Sequence, residues 1–139
     1  MEVAALDLEH IWQRVEKVPA LQSIGARLVD LSQGRACLEL PFRPEFCNSL
    51  GMLQGGFVTA VADAAGGLAV LTTVPPGWVA PTIELKINFL EPIRETVLAT
   101  GTVLRSGASV ATSYIEVHLE DHTLAAAGMA TFRLLRPKA

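Results

Sequence analysis

Apolar positions recur at two different periods along this chain, and the switch between them outlines its architecture. Leu8, Ile11, Trp12 and Val15 stand at i, i+3, i+4 and i+7, which predicts an amphipathic helix over residues 7–18 ending at Pro19. Short extended pieces follow around Ile24–Leu31 and Arg35–Pro41, where Ala36, Leu38 and Leu40 alternate with Cys37 and Glu39. Residues 42–54, rich in Pro, Asn, Ser and Gly, read as irregular. From Gly55 to Thr73 the pattern is helical but apolar or small on every face, and a helix hydrophobic all round is buried on all sides. Within it Gly66 and Gly67 each cost about 1 kcal/mol relative to alanine, which calls for close approach by a neighbouring backbone. Pro75-Pro76-Gly77 ends it.

The second half alternates with period two. Ile83, Leu85, Ile87 and Phe89 share one face of a strand, and Thr82, Glu84, Lys86 and Asn88 the other. Three further runs, near Thr96–Leu104, Ser109–Leu119 and Thr123–Leu135, are separated by the Ser106-Gly107 turn and the Glu120-Asp121-His122 corner. One fully buried helix and an antiparallel sheet with one apolar face have a joint solution: the sheet curls around the helix. The class is α+β, and with no repeat or linker the chain reads as a single domain, 1–139.

Charge sharpens this picture. Half the residues are hydrophobic and 18% charged, against roughly 25% charged in ordinary domains. The shortfall has one address: between Glu45 and Glu84 the only formal charge is Asp63. A net charge of −3 gives no electrostatic reason to expect nucleic acid. Pro75, Pro76 and Pro81 interrupt the uncharged stretch, leaving an apolar run well short of the roughly 20 residues that cross a membrane. The acidic N-terminus (Glu2, Asp7, Glu9) is unlike a signal peptide. Cys37 and Cys47 form neither a disulfide framework nor a zinc pattern. A cytoplasmic protein without nucleic-acid or membrane partners is expected.

Asp63 is the first candidate for chemistry. A carboxylate inside an apolar helix is expensive to bury unless paired, so either the helix turns it to a solvent edge or it lines a cleft as a base or nucleophile. Ahead of it, Gln54-Gly55-Gly56 stands where the loop enters the helix. That start is either a tight turn or an oxyanion site, since a helix N-terminus offers unpaired N–H groups and a positive dipole end. Asn48, seven residues before Gly55, either donates or accepts hydrogen bonds in the same loop or makes a local Asx turn.

Together these residues resemble a family signature. Asn48-Ser-Leu-Gly-Met-Leu-Gln-Gly-Gly-Phe-Val-Thr-Ala-Val-Ala-Asp63 is similar to the motif of the hotdog-fold thioesterases, in particular the PaaI-like (phenylacetic acid degradation) branch. That branch reads Asn-x-x-Gly-x-x-His-Gly-Gly with an Asp or Glu seven residues on. Thr82-Ile-Glu-Leu-Lys-Ile-Asn-Phe-Leu-Glu-Pro92 resembles its following strand, and the likeness covers roughly residues 20–135. It implies the hotdog fold, a five- or six-stranded antiparallel sheet wrapped around the long helix. It implies a homodimer with a continuous sheet, often a dimer of dimers, with active sites at the dimer interface. It implies an acyl-CoA thioesterase without a resident cofactor, coenzyme A being part of the substrate. Asp63 would activate water or attack the thioester carbonyl, the Gly55 N–H would polarise that carbonyl, and Asn48 would orient water or substrate from the facing subunit. Gly56, Thr82 and the Arg105-Ser106-Gly107 turn would contact substrate.

The departures are informative. Gln54, the fourth catalytic candidate beside Asp63, Gly55 and Asn48, replaces the family histidine; it keeps a hydrogen-bonding group but cannot carry a proton near neutral pH. Glu91 and Ala108 stand where relatives carry basic residues, leaving Lys86, Arg94 and Arg105 as phosphate partners or plain surface charges. Hydratases of the same fold depend on a histidine, and Leu68 stands where one pattern needs it. His118 and His122 make an H-x3-H pair, but no third and fourth ligand for a metal is evident. Cys47 has no histidine near it in sequence. Met52, Leu53, Phe57, Val61 and Trp78 suit either an acyl pocket or the core. The competing function is a non-catalytic acyl-CoA or acyl-ligand binding protein, for which Gln54 is the best argument and Asp63 the counter-argument.

Overall fold

The computed structural model describes residues 8–138, so Asp7 and the acidic residues before it lie outside the described residues. The elements run α1 (Glu9–Val15), α2 (Pro19–Ser23), β1 (Arg27–Ser32), β2 (Arg35–Leu40), a 3-10 turn (Pro44–Phe46), α3 (Gly55–Leu71), β3 (Thr82–Phe89), β4 (Val97–Ser106), β5 (Val110–His118) and β6 (Leu124–Arg133). One antiparallel sheet of six strands has the order β1-β2-β4-β5-β6-β3. It packs around α3, which touches β2, β3, β4, β5 and β6. This is the α+β hotdog arrangement. Among the described residues no helix is long and apolar enough to cross a membrane.

Period-two alternation explains which face of the sheet meets the helix. Ala111, Ser113, Ile115 and Val117 of β5 are buried, as are Val97 and Ala99 of β4 and Ala126, Ala130 and Phe132 of β6. Helix and sheet come close at Gly101 on β4, where a Cβ would collide with the Ala65 carbonyl and sit 2.7 Å from Gly66 Cα. The buried Ser113 hydroxyl donates to the Gly66 carbonyl at 2.9 Å. At the two helix glycines themselves a Cβ would meet side chains, Ile115 and Phe132 at 3.1 Å from Gly66 and the Phe132 ring at 3.3 Å from Gly67. The glycine that a neighbouring backbone demands is therefore Gly101 on the strand, and the expected backbone contact at Gly66 and Gly67 is replaced by side-chain packing.

Three expectations are corrected. The helix expected over 7–18 is shorter, and Pro19 opens a second helix rather than ending the first; proline's fixed φ and missing N–H suit the first helical position. The central helix is not buried on all sides. Val58, Val61, Ala62, Ala65, Leu68 and Ala69 are buried, but Gly56 and Ala60 are exposed and Asp63, Ala64, Gly67 and Leu71 half-buried. Those six lie on one side of the helix, the side the sheet does not cover. Last, β3 does not alternate as written in its sequence. The register passes from Thr82↔Phe132 to Glu84↔Thr131, so Ile83 is an extra residue in a bulge. The bulge turns Ile83 outward, 58% exposed, and brings Thr82 onto the helix face with Leu85 and Ile87.

β3 is also an edge strand, its outer side unpaired. It carries exposed Ile83 and Phe89, with Leu90 just beyond.

Candidate active site

The β3 bulge has a direct chemical consequence. Thr82 faces α3, and its hydroxyl donates to Asp63 Oδ1 at 2.6 Å. Asp63 is thus half-buried and hydrogen-bonded, neither a solvent-edge aspartate nor an unpartnered buried charge. It lines a cleft of about 570 Å³ between α3 and the segment running from Val79 to Thr82. The far wall comes from α2 and its surroundings: Val18, Ala20, Leu21 and Ile24. Ala64 and Gly67 on α3 keep the cleft open, and the Phe132 side chain lies at its base.

The helix start is built separately. Gln54 is the N-cap residue, with extended φ/ψ of −60° and 131°. Its carbonyl accepts from the Phe57 N–H at 3.0 Å, while its exposed side chain makes no capping bond. The N–H groups of Gly55 and Gly56 find no partner among the described residues, as the first turn of an uncapped helix requires. The Phe89 ring lies beside Gly55, 3.1 Å from where a Cβ would stand, whereas Gly56 faces open space.

Asn48 does make the Asx turn. Its Oδ1 accepts from the N–H groups of Leu50 (2.9 Å) and Met52 (3.2 Å), which leaves its Nδ2 as the group free to meet a ligand. Asn48, Met52, Leu53, Gly55 and Phe89 share a depression of about 470 Å³ with Glu91. Arg105 and Gly107 line a third, of about 270 Å³, with Ala108 and Thr112. Ser106 instead lies against Thr73, their hydroxyl oxygens 2.9 Å apart.

Within one chain, then, the structure joins Asp63 to Thr82 and Asn48 to Gly55, and keeps the two pairs in different cavities. Helix geometry makes that separation unavoidable. Eight residues at 1.5 Å rise put Gly55 and Asp63 about 12 Å apart along the axis, too far for both to reach one carbonyl group.

Of the residues named as candidate pocket lining, Val61 is core and Phe57 stacks on Phe46 with ring centroids 4.6 Å apart. Trp78 is half-buried beside α1, its carbonyl accepting from Arg14 Nη1 at 3.0 Å and Arg136 lying over its ring. Cys47 Sγ faces the Arg43 carbonyl. His118 pairs with Glu116 at 3.2 Å. Sequence reasoning missed the α2 wall, Phe132 at the base of the cleft and Phe89 against Gly55. The first was legible in Pro19 as a helix opener; the other two depend on strand order.

Comparison with known proteins adds a family. The model of the Thioesterase superfamily matches residues 50–126. A proposed esterase of Saccharolobus solfataricus is 34% identical over 139 residues, covering 99% of this chain and 97% of the relative. The medium/long-chain acyl-CoA thioesterase YigI of Salmonella typhimurium is 32% identical over 134 residues, covering 85% of this chain and 86% of the relative. The Escherichia coli PaaI protein from the phenylacetic acid degradation operon superposes with a TM-score of 0.82 at 20% identity, over 94% of this chain and 96% of that one. At that identity the last likeness concerns the fold.

Proposed function

This chain belongs to the thioesterase superfamily, and we propose that it hydrolyses an acyl-coenzyme A thioester at a site completed by two copies of the chain. The observation that carries this reading is the Asp63 carboxylate, held by Thr82 at the end of an apolar cleft. The acyl-CoA thioesterase among the relatives supports the substrate class.

The unpaired edge strand supports the two-copy reading. Two β3 strands pairing antiparallel would continue the sheet and bury Ile83 and Phe89. Antiparallel pairing opposes the Phe89 end of one copy to the Thr82 end of the other. Phe89 lies on Gly55 and Thr82 on Asp63, so the helix start of one copy meets the carboxylate of its partner. The exposed Leu104 and Met129 are left for a second contact that makes a dimer of dimers. Residence in the cytoplasm is part of the same reading.

Asp63 acts on the thioester carbonyl in one of two ways. As a general base it takes a proton from water, whose oxygen adds to the carbonyl carbon. As a nucleophile it forms a mixed anhydride that water then opens. In both, the carbonyl oxygen gains negative charge, and the free Gly55 N–H at the positive end of α3 stabilises it. The C–S bond then breaks and the sulfur leaves with the electron pair. A thiol with a pKa of roughly 8.5 leaves readily as its anion, so Gln54 in place of an acidic histidine does not stop the reaction. Gln54 and the Asn48 Nδ2 orient water or substrate as hydrogen-bond donors. Gly56 lets substrate pass close to the backbone, and Arg105, Ser106 and Gly107 meet the coenzyme A portion.

The test is release of free coenzyme A from a panel of acyl thioesters. Wild-type protein is expected to turn over at least one, and Asp63→Asn to be slower by at least about tenfold. Thioester binding without turnover would instead favour a non-catalytic acyl-CoA binding protein.

A further inference from the structure

We infer that the cleft beside Asp63 is the acyl-chain subsite and that α2 is the wall that sets which chain lengths are accepted, with Ala20 and Ile24 as the specificity-determining residues. The inference rests on the thioesterase reading and deepens it by naming the residues that select the acyl chain.

The cleft has the size of a small-molecule site, about 570 Å³ where such pockets run about 300–1,000 Å³. Its charge is distributed in a telling way. Asp63 is its only carboxylate and Arg14 its only cation among the lining residues. The Arg14 guanidinium already donates to the Trp78 carbonyl. The cleft thus offers the several phosphates of coenzyme A a single cation, at its rim and already tied to Trp78, whereas an alkyl chain gains by displacing water from walls of Leu21, Ile24, Leu68 and Phe132. With the carbonyl carbon at Asp63, the acyl chain is the part of the substrate that enters.

The wall is fixed in place. α2 spans only Pro19–Ser23, yet Leu21 is 7% exposed and packs into the core, while Gly25 turns the chain at φ +70°. Ala20 is exposed on this anchored segment, so its side chain alters the cleft without carrying the fold, while Ile24 is half-buried and packs against the core on one side and lines the cleft on the other. Each methylene that finds apolar wall gains about fourfold in kcat/KM, from a transfer free energy of about 0.8 kcal/mol, until the chain meets the end of the cleft.

The experiment compares kcat/KM for butyryl-, hexanoyl-, octanoyl-, decanoyl- and dodecanoyl-CoA in wild type, Ala20→Leu and Ile24→Ala. The added bulk of leucine is expected to lower the decanoyl-to-butyryl ratio by about tenfold or more, and Ile24→Ala to move the optimum to a longer chain. Decanoate as product inhibitor should weaken in Ala20→Leu by a similar factor. Thioester hydrolysis with the wild-type chain-length ratio in both variants overturns the subsite while leaving the thioesterase reading intact. No hydrolysis of any thioester by wild type overturns both.

Discussion

Replacing Gly55 by proline deletes one hydrogen-bond donor and little else. Gly55 is the first residue of α3, where proline's φ is already correct. Gln54 before it has the extended conformation, ψ 131°, that a residue preceding proline prefers. The Gly55 N–H has no partner among the described residues, so no internal bond is lost. The cost that remains is a Cβ placed 3.1 Å from the Phe89 ring, and Gly55→Ala carries the same Cβ while keeping the N–H. At a common Cβ, the ratio of the two variants reports loss of the N–H together with the ring Cδ that takes its place. Removing one donor from an oxyanion site costs about a hundred- to a thousandfold in kcat, about 3–4 kcal/mol. Gly55→Ala is expected within about tenfold of wild type and Gly55→Pro a further hundredfold or more below it, with both melting cooperatively. The assay is steady-state release of coenzyme A. If the proline variant matches the alanine variant within a factor of about three, the Gly55 amide does not polarise the carbonyl.

Other consequences follow from single contacts. Thr82→Val keeps the β-branched shape but loses the bond to Asp63; kcat should fall about tenfold, the scale of one hydrogen bond to a charged group, with the thermal midpoint little changed. Ile83→Lys places a charge on the exposed bulge of the unpaired edge, and light scattering should find a monomer without thioesterase activity. Gly101→Ala drives a Cβ into the Ala65 carbonyl, and denaturant unfolding should register a loss of about 3 kcal/mol or no folded protein at all. Ser113→Ala removes the buried bond to Gly66 and should cost about 1 kcal/mol, measured the same way.

Much of this was legible in the order of residues because two periods dominate it. The run from Val58 to Leu71 and the alternation from Thr82 onward define helix and strands to within a residue or two, and their joint burial implies the wrap. The lone charge at Asp63 and the Gln54-Gly55-Gly56 start were visible for the same reason: each breaks a local pattern. What the sequence concealed depends on neighbours far along the chain. The bulge at Ile83 leaves no trace in an alternating run, yet it decides that Thr82, and not Ile83, faces Asp63. The open side of α3 was hidden because Ala60, Ala64 and Gly67 score as apolar whether they meet a sheet or line a cleft. Pro19 read as a stop because proline ends one helix and begins another with equal ease.

The sharpest measurement mixes two inactive chains. Gly55→Pro and Asp63→Asn, produced separately, are each expected to hydrolyse thioesters poorly. Co-expressed in equal amounts they form mixed dimers in which one of the two sites draws an intact Gly55 from one chain and an intact Asp63 from the other. With random pairing, half the dimers are mixed and half their sites intact, so activity should return to about one quarter of wild type. Activity no greater than the average of the two variants alone would place both groups in a single chain, or neither in the reaction, and contradict the account.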